Sequence, residues 1–85
     1  MTKRDKILDE ILIERNRQDQ LKAEGRFEYT CADLAMSHPQ HCLTILAEEF
    51  GEVARAICES RENLREELIQ VAAVCLAWVE GLEKE

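Results

Sequence analysis

Five oxygen-bearing side chains at helical spacing are the residues of this sequence best suited to chemistry. They are Glu48, Glu49, Glu52, Glu67 and Gln70. When side chains of this kind face one another from two neighbouring helices, they suit a hard divalent cation, because Mg²⁺ and Mn²⁺ prefer carboxylates, water and phosphate oxygens. The pattern therefore predicts a cation site that can also contact phosphate.

The first three carboxylates share one narrow stripe of a helix. At about 100° per residue, Glu52 lies about 40° and Glu49 about 100° from Glu48 around the axis. Like charges at this spacing repel one another, and a mid-helix position excludes a role in complementing the helix dipole. A solvated acidic face, partly neutralised by Arg55, remains the alternative interpretation.

Four helices are predicted to position these residues. The signals place a first helix from a Thr2 cap to about Ala23, a short turn capped by Thr30 over residues 31–36, a third helix from Pro39 to about Glu59, and a last helix from Leu64 to the C-terminus. No segment has a strand pattern. The predicted fold class is all-α, an antiparallel bundle of three long helices and one short one.

The short link at 60–63 predicts that the third and fourth helices form an antiparallel hairpin. Glu52 lies before this link and Glu67 after it, so both fall toward the same end of the hairpin. Glu49 is predicted at the edge of an apolar core face. That face consists of Leu43, Leu46, Phe50, Val53 and Ile57.

The last helix predicts self-association. Residues 68–79 carry no charge, and their apolar side chains surround the helix axis. Two other long helices from a chain of 85 residues can cover only part of that surface, so a second copy of the chain is expected to complete the bundle as a homodimer or tetramer. A monomer with a lightly exposed alanine face (Ala72, Ala73, Ala77) is the alternative.

Composition limits the class of protein. The length predicts one domain spanning residues 1–85. The net charge of −7 argues against a nucleic-acid polymer or an anionic membrane surface as partner. No signal segment or membrane-spanning run is visible. The four cysteines form no CxxC pair, which favours reduced thiols and a cytoplasmic location. Cys42, Cys58 and Cys75 are predicted to be buried packing residues.

Beyond these patterns, the chain resembles a known family. The EEFGE segment at 48–52 followed by ELIQ at 67–70 is similar to the EExxE…ExxD signature of the MazG-like, all-α nucleoside triphosphate pyrophosphohydrolases. Residues 46–57 and 63–82 also resemble small phage and mobile-element members, as does the ERNRQD segment at 14–19. The resemblance covers most of the chain.

The resemblance implies a Mg²⁺-dependent enzyme that hydrolyses a nucleoside triphosphate to the monophosphate and pyrophosphate in nucleotide-pool house-cleaning. Glu49, Glu52 and Glu67 would be metal ligands, with Mn²⁺ as a possible substitute ion. Glu48 would be a further ligand or the base that positions water, and Glu48 and Glu52 are the predicted catalytic residues. Members of the family form dimers or dimers of dimers.

One position departs from the family signature. Gln70 stands where the family has an acid, and an amide oxygen can bind Mg²⁺ but brings no charge. Two alternatives to an enzyme follow from this. The chain could be a catalytically weakened relative that binds nucleotide or metal, or a non-enzymatic helical interaction protein.

The candidates for substrate binding are less distinctive. Arg15, Arg17 and Lys22 on the first helix are able to reach phosphates, although they also suit ordinary surface charge. His41 is seven residues before Glu48 and therefore near the same helix face. In the connector before the short turn, Phe27 and Tyr29 are candidates for stacking on a base.

Overall fold

The computed structural model describes residues 1–83 and contains four helices in that range. They are α1 (Lys3–Ala23), α2 (Cys31–Leu34), α3 (Pro39–Cys58) and α4 (Leu64–Leu82). The described residues contain no strand, which confirms the all-α prediction with three long helices and one short one. The last helix ends at Leu82, and its predicted continuation through 84–85 lies outside the described residues.

Local capping explains where the helices begin. The Thr2 hydroxyl accepts a hydrogen bond from the Asp5 backbone N–H at 3.1 Å, and the Asp5 carboxylate accepts the Thr2 N–H at 3.1 Å. Thr30 and Asp33 form the same reciprocal box at the start of α2. Pro39 is the first residue of α3, where its missing N–H would have no partner in the helix.

The long helices α1 and α3 end in left-handed residues that reverse the chain. Gly25 follows α1 with a φ of 78°, and Ser60 follows α3 with a φ of 52°. After α3, the Arg61 N–H donates to the Ala56 carbonyl at 2.8 Å, which closes the last turn. This tight end brings α4 back against α3.

The central helix is α4, which packs against each of the other three, while α2 also packs against α3. The buried core is small and lies where α2, α3 and α4 meet. Its members are Cys31, Leu34, Cys42, Val74 and Ala77, with Ala32, Ile45, Leu46 and Trp78 packed around them. In residues 1–83 no helix has the length and hydropathy to span a membrane.

The predicted core face of α3 is wrong in part. Val53 is buried as expected, but Leu43, Phe50 and Ile57 are 58%, 66% and 61% exposed. The helix carries two neighbouring apolar stripes, and α2 and α4 cover only the one that contains Cys42. The heptad-spaced residues Leu43, Phe50 and Ile57, called here the outer stripe, have no cover from the described residues of the chain.

A similar correction applies to two cysteines. Cys42 is buried, but Cys58 and Cys75 are exposed. Cys58 is the last residue of α3 and follows Ile57 of the exposed outer stripe. Cys75 is exposed because the chain covers only one side of α4: Ala73 and Ala77 are fully buried, while Leu68, Val79 and Leu82 are about half exposed. The four cysteines are free thiols.

Gly81 lets α2 approach α4 closely, and we expect Gly81→Ala to lower stability. An added Cβ would collide with the Ala32 carbonyl oxygen and lie 2.6 Å from the Ala35 Cβ. Because backbone must move, we expect a loss of about 2 kcal/mol, or roughly 10 °C in Tm. Thermal unfolding followed by circular dichroism measures it.

Gly51→Ala is the matched control for this substitution. Gly51 lies inside α3, where an added Cβ would meet nothing within 4 Å. The same change there should be neutral or stabilise by up to about 1 kcal/mol, since alanine favours helix. Equal Tm values for the two variants would contradict the close packing of α2 on α4.

Candidate functional site

A cleft of about 290 Å³ brings together Glu48, Glu49 and Gln70 of the predicted cation site, whereas Glu52 and Glu67 do not line it. Its polar lining includes Glu14, Arg17, Glu48, Glu49 and Gln70, contributed by α1, α3 and α4. The connector before α2 adds two aromatic rings and the start of α2 adds a thiol, from Phe27, Tyr29 and Cys31. The cleft therefore combines carboxylates with rings able to cover a flat ligand.

Glu49 is the most unusual group in this cleft. It lies on the buried side of α3, seven residues from both Cys42 and Ala56, and not at the edge of the core face as predicted. Its Oε2 atom is buried and has no hydrogen-bond partner within residues 1–83. A buried carboxylate oxygen without a donor is costly, so this atom is poised to meet a cation or a proton.

Burial is the main cause that raises the pKa of Glu49. Four neighbouring negative charges act in the same direction, in decreasing order Glu67, Glu52, Glu14 and Glu48. Glu49 is therefore close enough to be repelled by the predicted acids of α3 and α4, and by Glu14 of α1. A divalent cation would relieve this repulsion.

The remaining predicted ligands differ in their contacts. Glu52 pairs with Arg55 at 3.2 Å and with Arg61 at 3.9 Å. Glu67 accepts a hydrogen bond from the Asn63 side-chain amide at 3.1 Å. Arg55 therefore neutralises Glu52 rather than Glu48, and Glu48 makes no ion pair with any described residue.

Gln70 lies between two clefts. It lines the main cleft and also a second one of about 250 Å³ between α1 and α4. Glu14 is the other residue that borders both. Gln70 is thus next to the acids with which the sequence groups it.

The ligand atoms available at this site are of the type that a hard cation binds, but the side chains do not converge on one point. Carboxylate and amide oxygens with one orphaned buried oxygen are what Mg²⁺ or Mn²⁺ requires. Among residues 1–83, no three side chains of His, Cys, Asp or Glu stand close enough to hold a metal ion in their present positions. Cation binding would need rotation of side chains.

The three basic residues predicted to bind phosphate differ in their contacts, and two of them do not line the cleft. Arg15 is buried and joins α1 to α4, with its Nε 2.9 Å from Glu80 and its Nη1 2.7 Å from Asp19. Its donors are therefore engaged in the fold and not in the cleft. Lys22 pairs with Asp33 of α2 at 2.8 Å and does not line the cleft.

Arg17 is the basic candidate that does line the cleft. It pairs with Glu14 at 2.8 Å. His41 is exposed and meets Tyr29 edge to face, with ring centroids 5.4 Å apart. His41 therefore contacts the aromatic side of the cleft through Tyr29, although it does not line the cleft itself.

Sequence reasoning missed Glu14. This acid lies seven residues after Ile7 and seven before Leu21, so it interrupts the half-buried apolar stripe of α1. Glu49 interrupts the buried stripe of α3 in the same way. A charged residue in register with apolar neighbours was the signal that could have identified Glu14.

No protein-family model, curated protein or solved structure matches this chain. The residues and the geometry of the cleft therefore carry the argument about function.

Proposed function

We propose that this protein is a Mg²⁺-dependent nucleoside triphosphate pyrophosphohydrolase of the MazG-like type, acting in the cytoplasm on the nucleotide pool. The observation that carries the proposal is the buried Glu49 oxygen, which has no hydrogen-bond partner among residues 1–83. Four other carboxylates act on the pKa of Glu49, and two of them, Glu14 and Glu48, line the same cleft with its aromatic walls. A site with this excess of negative charge suits a cation, and a bound cation suits a polyphosphate.

Each residue then has a stated role. Glu49, Glu52 and Glu67, with the Gln70 amide oxygen, hold Mg²⁺ or Mn²⁺, which when bound polarises the phosphoryl group and acidifies water. Glu48, which has no ion pair within residues 1–83, accepts a proton from the attacking water.

The overall reaction is hydrolysis of one phosphoanhydride bond. The water oxygen bonds to the α-phosphorus, the bond from that phosphorus to the bridging oxygen breaks, and pyrophosphate leaves. Phe27 and Tyr29 cover the base, while Arg17 contacts the phosphates. Stacking and charge-assisted hydrogen bonds are suited to these two ends of a nucleotide.

The proposed enzyme acts as a homo-oligomer, a dimer or a dimer of dimers. The chain has an accessible surface of 6197 Å², whereas a folded monomer of 9.8 kDa typically has about 5,200 Å². The excess of about 1,000 Å² is similar to the roughly 800 Å² that each partner buries in a standard interface. The outer stripe supplies apolar side chains for it, and Phe50 places this surface beside Glu49.

We expect Glu52→Gln to abolish metal-dependent pyrophosphate release. The test measures release from a panel of canonical and modified NTPs and dNTPs, with and without Mg²⁺ or Mn²⁺. Loss of one ligand should lower the rate by about a hundredfold or more. Glu59→Gln is the matched control, because Glu59 pairs with the same two arginines but is not among the acids whose charge raises the pKa of Glu49.

Gln70 supports a second candidate, a relative that binds metal or nucleotide without turnover. It borders the cleft where the family signature has an acid. Two results together would favour this candidate: the wild type binds Mn²⁺ but does not hydrolyse nucleotide, and Gln70→Asp does hydrolyse it. Indifference of wild type to both metal and nucleotide would leave the helical interaction protein.

A further inference from the structure

The ion pair of Glu14 and Arg17 occupies one wall of the cleft. The Arg17 Nε donates to Glu14 Oε2 at 2.9 Å and the Nη2 donates to Oε1 at 2.8 Å, so the pair is bidentate. Both residues line the cleft together with Glu48 and Glu49. The Glu14 side chain is 16% exposed and that of Arg17 is 53% exposed.

Glu14 occupies an unusual position for an acid in α1. It stands between the half-buried residues Ile7 and Leu21 at heptad spacing, so its carboxylate is directed to the interior side of the helix. Its charge also acts on Glu49, whose pKa it helps to raise. Glu14 is thus electrostatically part of the acidic site, although Arg17 holds it.

We propose that Glu14 and Arg17 form an exchangeable ion pair that controls loading of the cleft. The pair is closed in the free protein. When a divalent cation and a triphosphate enter together, the Glu14 carboxylate turns to the cation and the Arg17 guanidinium turns to the phosphates. This inference rests on the proposed function and adds Glu14 as a fifth acidic residue of the site.

After the exchange, Glu14 and Arg17 each face a stronger partner than they have in the closed pair. A carboxylate gains more from a divalent cation than from a guanidinium, and a guanidinium binds phosphate oxygens in the same bidentate geometry that it uses here. The Arg17 side chain is 53% exposed, so water can hydrate its guanidinium as the pair separates. The Glu14 side chain is only 16% exposed and needs a new partner, which the cation supplies. Glu14 and Arg17 are three residues apart on α1, which lets both side chains turn while the helix stays in place.

The test uses Mn²⁺ alone, titrated into the metal-free protein by calorimetry. Glu14→Gln should weaken Mn²⁺ binding by about tenfold, because one carboxylate is lost. Arg17→Gln should strengthen Mn²⁺ binding by about two- to fivefold, because it releases Glu14 from a weak competitor. Arg17→Gln should also raise the KM for nucleotide about tenfold, since a phosphate contact is lost.

Two substitutions on the same helix control for the change in net charge. Arg4→Gln and Asp9→Asn alter exposed residues of α1 and should leave Mn²⁺ affinity within about twofold. Thermal unfolding of each variant verifies that it is folded. The opposite signs expected for Glu14→Gln and Arg17→Gln cannot come from a general loss of structure.

Three outcomes would overturn the exchange. Unchanged Mn²⁺ affinity in Glu14→Gln would exclude this acid from the site. Weaker Mn²⁺ binding in Arg17→Gln would mean that the ion pair stays closed and stabilises the site as a structural contact. If wild type neither binds Mn²⁺ nor hydrolyses any nucleotide, the proposed function fails as well, whereas an active wild type with two unaltered variants overturns the exchange alone.

Discussion

Glu49→Gln should stabilise the metal-free protein at neutral pH and remove its response to divalent cations. Wild-type Glu49 has a buried oxygen without a hydrogen-bond partner in the described part of the chain, and four nearby carboxylates repel it. The neutral amide removes this repulsion and is nearly the same size. We expect a gain of about 1 kcal/mol, or roughly 5 °C in Tm.

The pH dependence of this effect follows from the direction of the pKa shift. The pKa of Glu49 is raised in the folded protein above its ordinary value of 4.5, so the folded state binds its proton more tightly than the unfolded state does. The stability that this residue contributes is fully present below about pH 4.5 and is lost as the pH rises through the raised value. Wild type and Glu49→Gln should therefore differ little at pH 4 and most at pH 7.

Divalent cations should reverse the order of the two proteins. In the proposed site Mg²⁺ or Mn²⁺ would bind only the folded state of wild type and should raise its Tm, while Glu49→Gln would lack a central ligand and should respond weakly. Thermal unfolding at pH 4 and pH 7, with and without Mg²⁺, measures both effects. Asp9→Asn is the control for net charge.

Two results would contradict the prediction for Glu49. A Glu49→Gln protein that is less stable than wild type at pH 7 without metal would show that the carboxylate has a partner in solution. A variant that keeps the full wild-type Tm increase with Mg²⁺ would remove Glu49 from the proposed cation site.

Phe50→Glu should convert the proposed oligomer to a monomer. Phe50 is the central residue of the outer stripe and is 66% exposed in the single chain. A two-fold interface through this stripe would bring two copies of Phe50 into it, so one substitution introduces two buried charges. We expect the dissociation constant to rise about a thousandfold, measured by sedimentation equilibrium.

Ile13→Glu is the matched control for Phe50→Glu. Ile13 is 67% exposed, but it lies on α1 beside the second cleft. The outer-stripe interface predicts that Ile13→Glu keeps the wild-type oligomeric state. Dissociation by Ile13→Glu and not by Phe50→Glu would move the interface to α1, and a monomeric wild type would contradict self-association itself.

Local residue chemistry was enough to predict the four helices. The Thr2 and Thr30 caps, Pro39 at the first position of α3 and Gly25 after α1 satisfy or end backbone hydrogen bonds within a few residues. These contacts depend little on the rest of the chain. The predicted boundaries of α1, α2 and α3 therefore agree with the observed helices to within two residues, with α2 ending at Leu34 rather than near position 36. The helix α4 ends at Leu82, and its predicted continuation through 84–85 lies outside the described residues.

The grouping of the acids could be predicted in part. Helical periodicity put Glu48, Glu49 and Glu52 on one side of α3, and the short link put Glu67 near them. Periodicity could not reveal that Arg15 would pair with Glu80, a residue 65 positions away. Glu14 does interrupt the apolar stripe of α1, which marks it as unusual, but periodicity does not indicate which side of α1 meets the cleft.

Tertiary packing decided which apolar stripe of α3 became the interior. The stripes through Cys42 and through Phe50 are both apolar, and a helical wheel ranks residues by type without knowing which surface another helix will cover. Packing of α2 and α4 buried the Cys42 stripe and left Glu49 half-buried within it, with its Oε2 atom buried. The sequence alone determined the helices and the acidic residues available, while their burial depended on contacts between segments far apart in the chain.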